Sequence, residues 1–144
     1  MKITIYNSSH IENESCNKCN EFFKSIHNID CNIINEKGLK HEILNKYDLL
    51  VIPGGKLLHL QHEIGSNGKY AILQFLQNGG KYIGICAGCF LATTKLNFMN
   101  ETIRSPNFLH LFSSCDALEV NQKEVIKTDS GAELLYWNGP KNII

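Results

Sequence analysis

The chain has 144 residues, of which 43% are hydrophobic and 19% are charged, and its formal net charge at pH 7 is zero. These values fit one globular domain spanning residues 1–144, and the scattered Lys and Arg form no basic surface for nucleic acid or an acidic membrane. No apolar run approaches the ~20 residues of a membrane span, and the polar N-terminus does not fit a signal peptide. A cytoplasmic protein that binds neither nucleic acid nor a membrane is therefore expected.

Strands alternate with helices along the first half of the chain. The predicted strands are residues 2–6, 31–35, 48–52 and 81–85. The predicted helices are residues 15–28, 38–47 and 68–77, and residues 56–67 are predicted to be a loop or a short irregular helix. This alternation predicts an α/β fold with an open, doubly wound parallel sheet and helices on both faces.

The first predicted helix begins near Ser15, a residue type that caps helices. Its predicted buried side consists of Phe22, Phe23 and Ile26. Cys16 and Cys19 lie one turn apart at its start, a spacing that also occurs in thioredoxin-like redox sites. A redox pair is kept as an alternative, and two surface cysteines are the preferred interpretation.

The pattern changes after Lys95, where short strand-like pieces follow one another without a convincing helix. These pieces are residues 96–103, 108–112, 117–120, 124–128 and 133–137. They predict a C-terminal antiparallel extension at the edge of the sheet.

The most informative stretch is residues 81–94, an apolar strand that runs directly into a helix with Cys86 at the junction. Gly84 and Gly88 flank this cysteine at two residues on either side, which is the nucleophile-elbow pattern with Cys in place of Ser. A side chain at either glycine would collide across such a sharp turn. The N–H groups of the following helix would also favour a thiolate at Cys86.

A second glycine turn, Pro53-Gly54-Gly55, follows the third predicted strand. In open parallel sheets, functional groups gather beyond the carboxyl ends of the strands. The N–H of Ala87 and an N–H of Gly54 or Gly55 are therefore predicted to converge on one oxygen as an oxyanion hole.

Two segments together resemble a known family: residues 48–55, Asp-Leu-Leu-Val-Ile-Pro-Gly-Gly, and residues 78–92, Asn-Gly-Gly-Lys-Tyr-Ile-Gly-Ile-Cys-Ala-Gly-Cys-Phe-Leu-Ala. They are similar to the class I glutamine amidotransferase-like superfamily, and within it to the N-terminal domain of eukaryotic biotin-protein ligases and its stand-alone relatives. Residues 136–140, Tyr-Trp-Asn-Gly-Pro, are similar to a later segment of that group.

The resemblance implies a flavodoxin-like sheet, Cys86 as the nucleophile, and an oxyanion hole from Ala87 and the Gly54-Gly55 turn. Working amidotransferases of this kind attack the side-chain amide of glutamine, form a thioester and release ammonia. They take their base from a late His-x-Glu segment, which this chain lacks. His110, the one histidine that follows Cys86, is the candidate base. A biotin ligase catalytic domain is not expected in 144 residues.

Several alternatives stay open. His59 and His62 lie near Gly55 and either line the site or are solvated loop residues. Cys89 is interpreted as a packing residue, Cys115 as a thiol that could face the same cleft, and a zinc site is not expected. The predicted function is cysteine-dependent amide hydrolysis or acyl transfer on a small amide or acyl ligand, without cofactor or metal; the alternative is a non-catalytic module for a ligand, a protein partner or a second copy.

Overall fold

Four parallel strands form the central sheet of the structure, a computed structural model that describes residues 1–98, 101–111, 126–127 and 133–134. These strands are β1 (Lys2–Tyr6), β2 (Asp30–Ile34), β3 (Leu49–Ile52) and β4 (Lys81–Gly84). Their order in the sheet is β2-β1-β3-β4. The predicted α/β fold with an open, flavodoxin-like parallel sheet is therefore confirmed.

The middle of the sheet is built from the most apolar strand of the chain. All four residues of β3 are buried, and this strand lies between β1 and β4 in the sheet. From β1 the chain first adds β2 on one side, and then adds β3 and β4 on the other side of β1. The loops after β1 and β3 therefore separate at the boundary between these two strands. Such a switch point opens a crevice at the carboxyl edge of the sheet, where ligands bind in folds of this type.

Helices connect the strands and flank the sheet. They are α1 (Asn13–Ser25), α2 (His41–Leu44), α3 (Leu57–Gln77) and α4 (Ala87–Leu91), with a 3₁₀ turn at Glu36–Gly38. The crossovers leading into β2 and β3 run in opposite directions, so right-handed connections place them on opposite faces. Residues 57–67, for which a loop was one expectation, are helical as part of α3. Gly65, at φ 57° and ψ −171°, breaks this helix in its middle.

Helix α1 corrects three expectations. It begins at Asn13 after Glu12, so Ser15 lies inside the helix and does not cap it. The buried stripe is Cys16, Cys19 and Phe23, whereas Phe22 and Ile26 are exposed. The interpretation of Cys16 and Cys19 as surface residues is wrong. Their spacing of three residues, continued at Phe23, follows the helical period of an apolar face.

Antiparallel pairing is found after α4. The segment predicted as one piece at 96–103 forms two strands, β5 (Leu96–Phe98) and β6 (Glu101–Ile103), that pair with each other. A second pair consists of β7 (Ile126–Lys127) and β8 (Glu133–Leu134). The predicted strands at 117–120, and the segment 136–140, lie outside the described residues.

The segment 108–112 was expected to be a strand, but its described part, residues 108–111, docks as irregular chain on the end of α4. The N–H of Leu109 donates to Leu91 O at 2.8 Å, and the N–H of Leu111 donates to Ala92 O at 2.9 Å. Phe108 and Leu109 are buried there. Within the described part of the chain, no helix is long and apolar enough to cross a membrane.

Candidate functional site

Cys86 lies at the turn between β4 and α4 and is the N-cap residue of that helix. Its backbone has φ 51° and ψ −110°, a conformation that residues other than glycine rarely adopt. Strain of this kind amounts to about 1–3 kcal/mol and persists where the surrounding structure enforces it. The side chain of Cys86 is exposed at the carboxyl edge of the sheet.

The two glycines that flank Cys86 are required by close backbone contacts. A Cβ on Gly84 would lie 2.4 Å from Gly88 O, and a Cβ on Gly88 would lie 2.1 Å from Ile52 O in the neighbouring strand. Both distances are far below ordinary van der Waals contact. A side chain at Gly84 or at Gly88 would therefore collide with backbone atoms. We call residues 84–88 the Cys86 turn.

The Pro53-Gly54-Gly55 turn lies directly beside Cys86. A Cβ on Gly54 would be 3.4 Å from Cys86 Cβ and 3.4 Å from Ser15 Oγ. The Ser15 hydroxyl accepts a hydrogen bond from the Gly54 N–H at 2.9 Å. Ser15 is thus a site residue that the sequence placed at a helix cap, and its role could not be read from a position 39 residues earlier in the chain.

This hydrogen bond affects the predicted oxyanion hole. Because the Gly54 N–H already donates to Ser15, the donor left at this turn is the N–H of Gly55. Within the described residues, neither the Gly55 N–H nor the Ala87 N–H has a hydrogen-bond acceptor. The two free donors follow neighbouring strands at the same edge of the sheet.

A cluster of polar side chains lies near Gly55, on residues 6–10 and on α3. His10 Nε2 is 3.3 Å from Glu63 Oε2, and the hydroxyl of Tyr6 donates to Glu63 Oε1 at 2.6 Å. His59 stacks on His10 with ring centroids 5.1 Å apart. Burial, and then the hydrogen bond to Glu63, raises the pKa of the Tyr6 hydroxyl well above its usual range.

The backbone connects this cluster to the Cys86 turn. A Cβ on Gly55 would lie 2.1 Å from His10 O, and the Lys56 N–H donates to that same oxygen at 2.9 Å. The path from His10 O through Gly55 and Gly54 to Cys86 Cβ is at most about 12 Å long. Sequence reasoning missed the His10–Glu63 pair, since it depends on the segment after β1 lying against the segment after β3, where Ile11 and Gly55 form an antiparallel bridge.

The structure places His110, the predicted base, at the opposite end of α4 from Cys86. The residues on either side of His110 are bonded to Leu91 and Ala92, and His110 Nε2 lies 3.3 Å from Ser105 O. Its backbone has a positive φ of 55°. His62 is exposed on α3. A catalytic role for His110 stays a prediction.

The cysteines differ in exposure. Cys86 is exposed, Cys89 is half-buried, and burial raises the pKa of the Cys89 thiol, with a further increase from the charge of Cys86. Burial also raises the pKa of the three remaining described thiols, which are Cys16, Cys19 and Cys31. Because Cys16 and Cys19 are buried and poorly reached by an oxidant or a second thiol, the redox alternative at this pair loses support. Cys115 lies outside the described residues.

No group of three or more His, Cys, Asp or Glu side chains in the described part of the chain is arranged to hold a metal ion. A shallow cavity of about 570 Å³ lies at the break in α3, where Glu63 and Gly65 line it. Cys86 does not line this cavity. Cys86 itself is exposed at the carboxyl edge of the sheet.

The fold and the site define a class: an α/β protein with a parallel sheet and an exposed cysteine held in a strained strand-to-helix turn at its carboxyl edge. The family model described as "Biotin-protein ligase, N terminal" matches residues 1–139. The chain belongs to this biotin-protein ligase N-terminal family. The match covers the sheet, the Cys86 turn and the Pro53-Gly54-Gly55 turn together.

A protein of Chlamydia muridarum (strain MoPn / Nigg), described as an uncharacterized protein, is 35% identical to this chain over 68 residues. The matched part is 46% of this chain and 26% of that protein. The chain therefore spans about a quarter of the length of this curated relative.

Proposed function

We propose that this domain carries out cysteine-dependent amide hydrolysis or acyl transfer of the class I glutamine amidotransferase type, with Cys86 as the nucleophile. The observation that carries the proposal is the conformation of Cys86, whose φ is positive and which lies between two glycines where a side chain would collide with backbone atoms. A nucleophile elbow uses this geometry to hold a reactive side chain above a sheet.

The proposed reaction begins when the Cys86 thiolate attacks the carbonyl carbon of a bound carboxamide. The carbonyl oxygen takes up the negative charge, which the N–H groups of Ala87 and Gly55 stabilise as an oxyanion hole. The intermediate collapses to a thioester on Cys86 while the amide nitrogen gains a proton and leaves as ammonia. Water then attacks the thioester, releasing the carboxylic acid and regenerating the thiol.

A cysteine nucleophile at neutral pH needs a neighbouring base or cation. His110 is the candidate from the sequence. The His10–Glu63 pair is the second candidate, because its carboxylate orients an imidazole at the same edge of the sheet. Ser15 is proposed as a positioning residue that holds the Gly54 turn against Cys86.

One observation favours the second candidate function, a non-catalytic module that binds a small ligand or a partner. Within residues 1–98 and 101–111, no histidine side chain forms a hydrogen bond with Cys86, and His10 is bound to Glu63 and stacked on His59. A binding module needs the open edge and the free N–H donors but no base. The family relationship is compatible with both functions.

Ammonia release from L-glutamine and a panel of primary carboxamides tests the proposal. We expect release by the wild type, none by Cys86→Ala, and near wild-type release by Cys89→Ala, the matched control one helical turn away. Acyl-enzyme mass spectrometry should place the thioester on the peptide that contains Cys86.

The outcome separates the two functions. Equal ammonia release by the wild type and Cys86→Ala, or none from any carboxamide, would end the enzymatic proposal. A carboxamide that binds the wild type and Cys86→Ser with the same affinity, measured by calorimetry and without turnover, would support the binding module. His110→Asn and His10→Asn then identify the base by the loss of turnover.

A further inference from the structure

We propose that Cys86 and Cys89 form a redox-reactive dithiol, in which a hydroperoxide oxidises Cys86 and Cys89 then closes a disulfide with it. This proposal does not rest on the proposed amide chemistry, because it needs only the exposure of one thiol and the position of the other. The proposal is based on the positions of the two cysteines. Cys86 is the exposed N-cap residue of α4, and Cys89, three residues later on the same helical turn, is half-buried.

The backbone places the two thiols on one closed turn. The Phe90 N–H donates to Cys86 O at 3.1 Å, so the carbonyl of Cys86 begins the hydrogen-bonding of α4. Residues three apart on a helix have Cβ atoms about 5–6 Å apart, whereas a disulfide needs about 3.5–4.5 Å. Cys86 is the N-cap residue and has non-helical φ and ψ, so the proposed disulfide requires a backbone adjustment at Cys86 and not within α4.

The two cysteines differ as a nucleophile and a resolving thiol should. Cys86 is exposed and meets the oxidant first, whereas Cys89 is half-buried. Burial raises the pKa of the Cys89 thiol, which keeps it protonated and protected from direct oxidation. The position of Cys89 in the turn is supported by Tyr82, whose hydroxyl donates to Gly88 O at 2.6 Å.

The electrons and atoms balance with a hydroperoxide as the oxidant. The Cys86 thiolate attacks one peroxide oxygen, the O–O bond breaks, and Cys86 becomes a sulfenic acid while hydroxide or an alkoxide leaves. The sulfur of Cys89 then attacks the sulfenic sulfur, an S–S bond forms, and the sulfenic oxygen leaves as water with the thiol proton. The two thiols together give two electrons to the peroxide.

The chain contains its own control for this chemistry. Cys16 and Cys19 have the same spacing in α1, yet both are buried, with relative exposures of 1% and 9%. If spacing alone governed oxidation, the two pairs would react equally. If exposure of the first cysteine governs it, only the pair at 86 and 89 forms a disulfide.

The experiment treats the full-length protein with limiting hydrogen peroxide, blocks the remaining thiols with N-ethylmaleimide, and maps tryptic peptides by mass spectrometry. The peptide 82–95 carries both Cys86 and Cys89, so the disulfide appears as loss of two hydrogens and of both maleimide adducts. Trypsin cleaves after Lys18, so a disulfide between Cys16 and Cys19 would instead link two peptides. We expect the 82–95 disulfide to be the main oxidised product.

Two variants complete the test. In Cys89→Ser, or Cys89→Ala if the serine variant does not fold, we expect Cys86 to proceed to sulfinic acid. In Cys86→Ser we expect Cys89 to remain a thiol. Wild-type Cys86 that reaches sulfinic acid without the disulfide, or a linked 16–19 product that forms first, would overturn the proposal.

Discussion

The substitution Gly88→Ala tests the geometry on which the Cys86 turn depends. The added methyl group would lie 2.1 Å from Ile52 O, whereas ordinary contacts of this kind are 3.4–4 Å long. The turn and β3 must therefore separate by about 1 Å or more. Ile52 is fully buried in the middle of the sheet, so the backbone of β3 has little room to move away from the added methyl group.

The expected loss of stability follows from two contributions. Inserting a methyl group into a close-packed region destabilises proteins by about 1–3 kcal/mol. The same displacement weakens the hydrogen bond from the Ile85 N–H to Ile52 O, 3.0 Å long, which is worth about 0.5–1.5 kcal/mol. We therefore expect Gly88→Ala to lower the free energy of unfolding by about 2–4 kcal/mol. The melting temperature should fall by roughly 5–15 °C.

Urea unfolding followed by circular dichroism measures this change. Gly54→Ala is the matched control, since its methyl group would lie 3.4 Å from both Cys86 Cβ and Ser15 Oγ, and we expect it to lower the stability by less than about 1 kcal/mol. Gly84→Ala, at 2.4 Å from Gly88 O, should behave like Gly88→Ala. Equal midpoints for Gly88→Ala and Gly54→Ala would refute the steric argument.

Three further predictions concern the other polar and thiol groups. Limiting iodoacetamide near pH 7 should label Cys86 well before the buried thiols, and equal labelling would show that burial does not protect them. Because burial raises the pKa of those thiols, the folded protein keeps them protonated at pH values where the unfolded chain ionises them, so its stability should fall as the pH rises above about 8.5. Urea midpoints at about pH 8 and about pH 10 measure the fall, which should be smaller when Cys16 and Cys19 are both replaced by Ala. Tyr6→Phe removes a 2.6 Å hydrogen bond to Glu63 and should lower the stability by about 1–3 kcal/mol; a change below 0.5 kcal/mol would contradict this.

The parallel sheet could be predicted from the sequence because its signals are local. The run Leu49–Ile52 has no polar residue, which is typical of a strand covered on both faces. The helix boundaries were less predictable. Helix α1 begins at Asn13, two residues before Ser15, the expected cap. Its buried face is determined by the packing of Cys16, and the types of the first residues do not reveal it.

The site was predictable to the extent that it is made of backbone. Gly84, Gly88 and Gly55 are each explained by close contacts with main-chain atoms, and glycine is the residue type that reveals such contacts in a sequence. The Ser15–Gly54 hydrogen bond and the His10–Glu63 pair connect residues far apart in the chain. The spacing of neighbouring residues in the sequence does not predict contacts of this kind.

This difference bears on where the base for Cys86 should be sought. A search for a histidine after the nucleophile leads to His110, whose neighbours are fixed at the far end of α4. The sheet order instead brings the loops after β1 and β3 to the edge where Cys86 lies, and the oriented imidazole at that edge is His10. Glu63→Gln should therefore act through His10: if His10 is the base, it will shift the pH profile of turnover, and His62→Asn on the same helix will leave that profile unchanged. A pH profile that responds to His110→Asn and not to Glu63→Gln would show that His110, the residue that the sequence indicates, is the base.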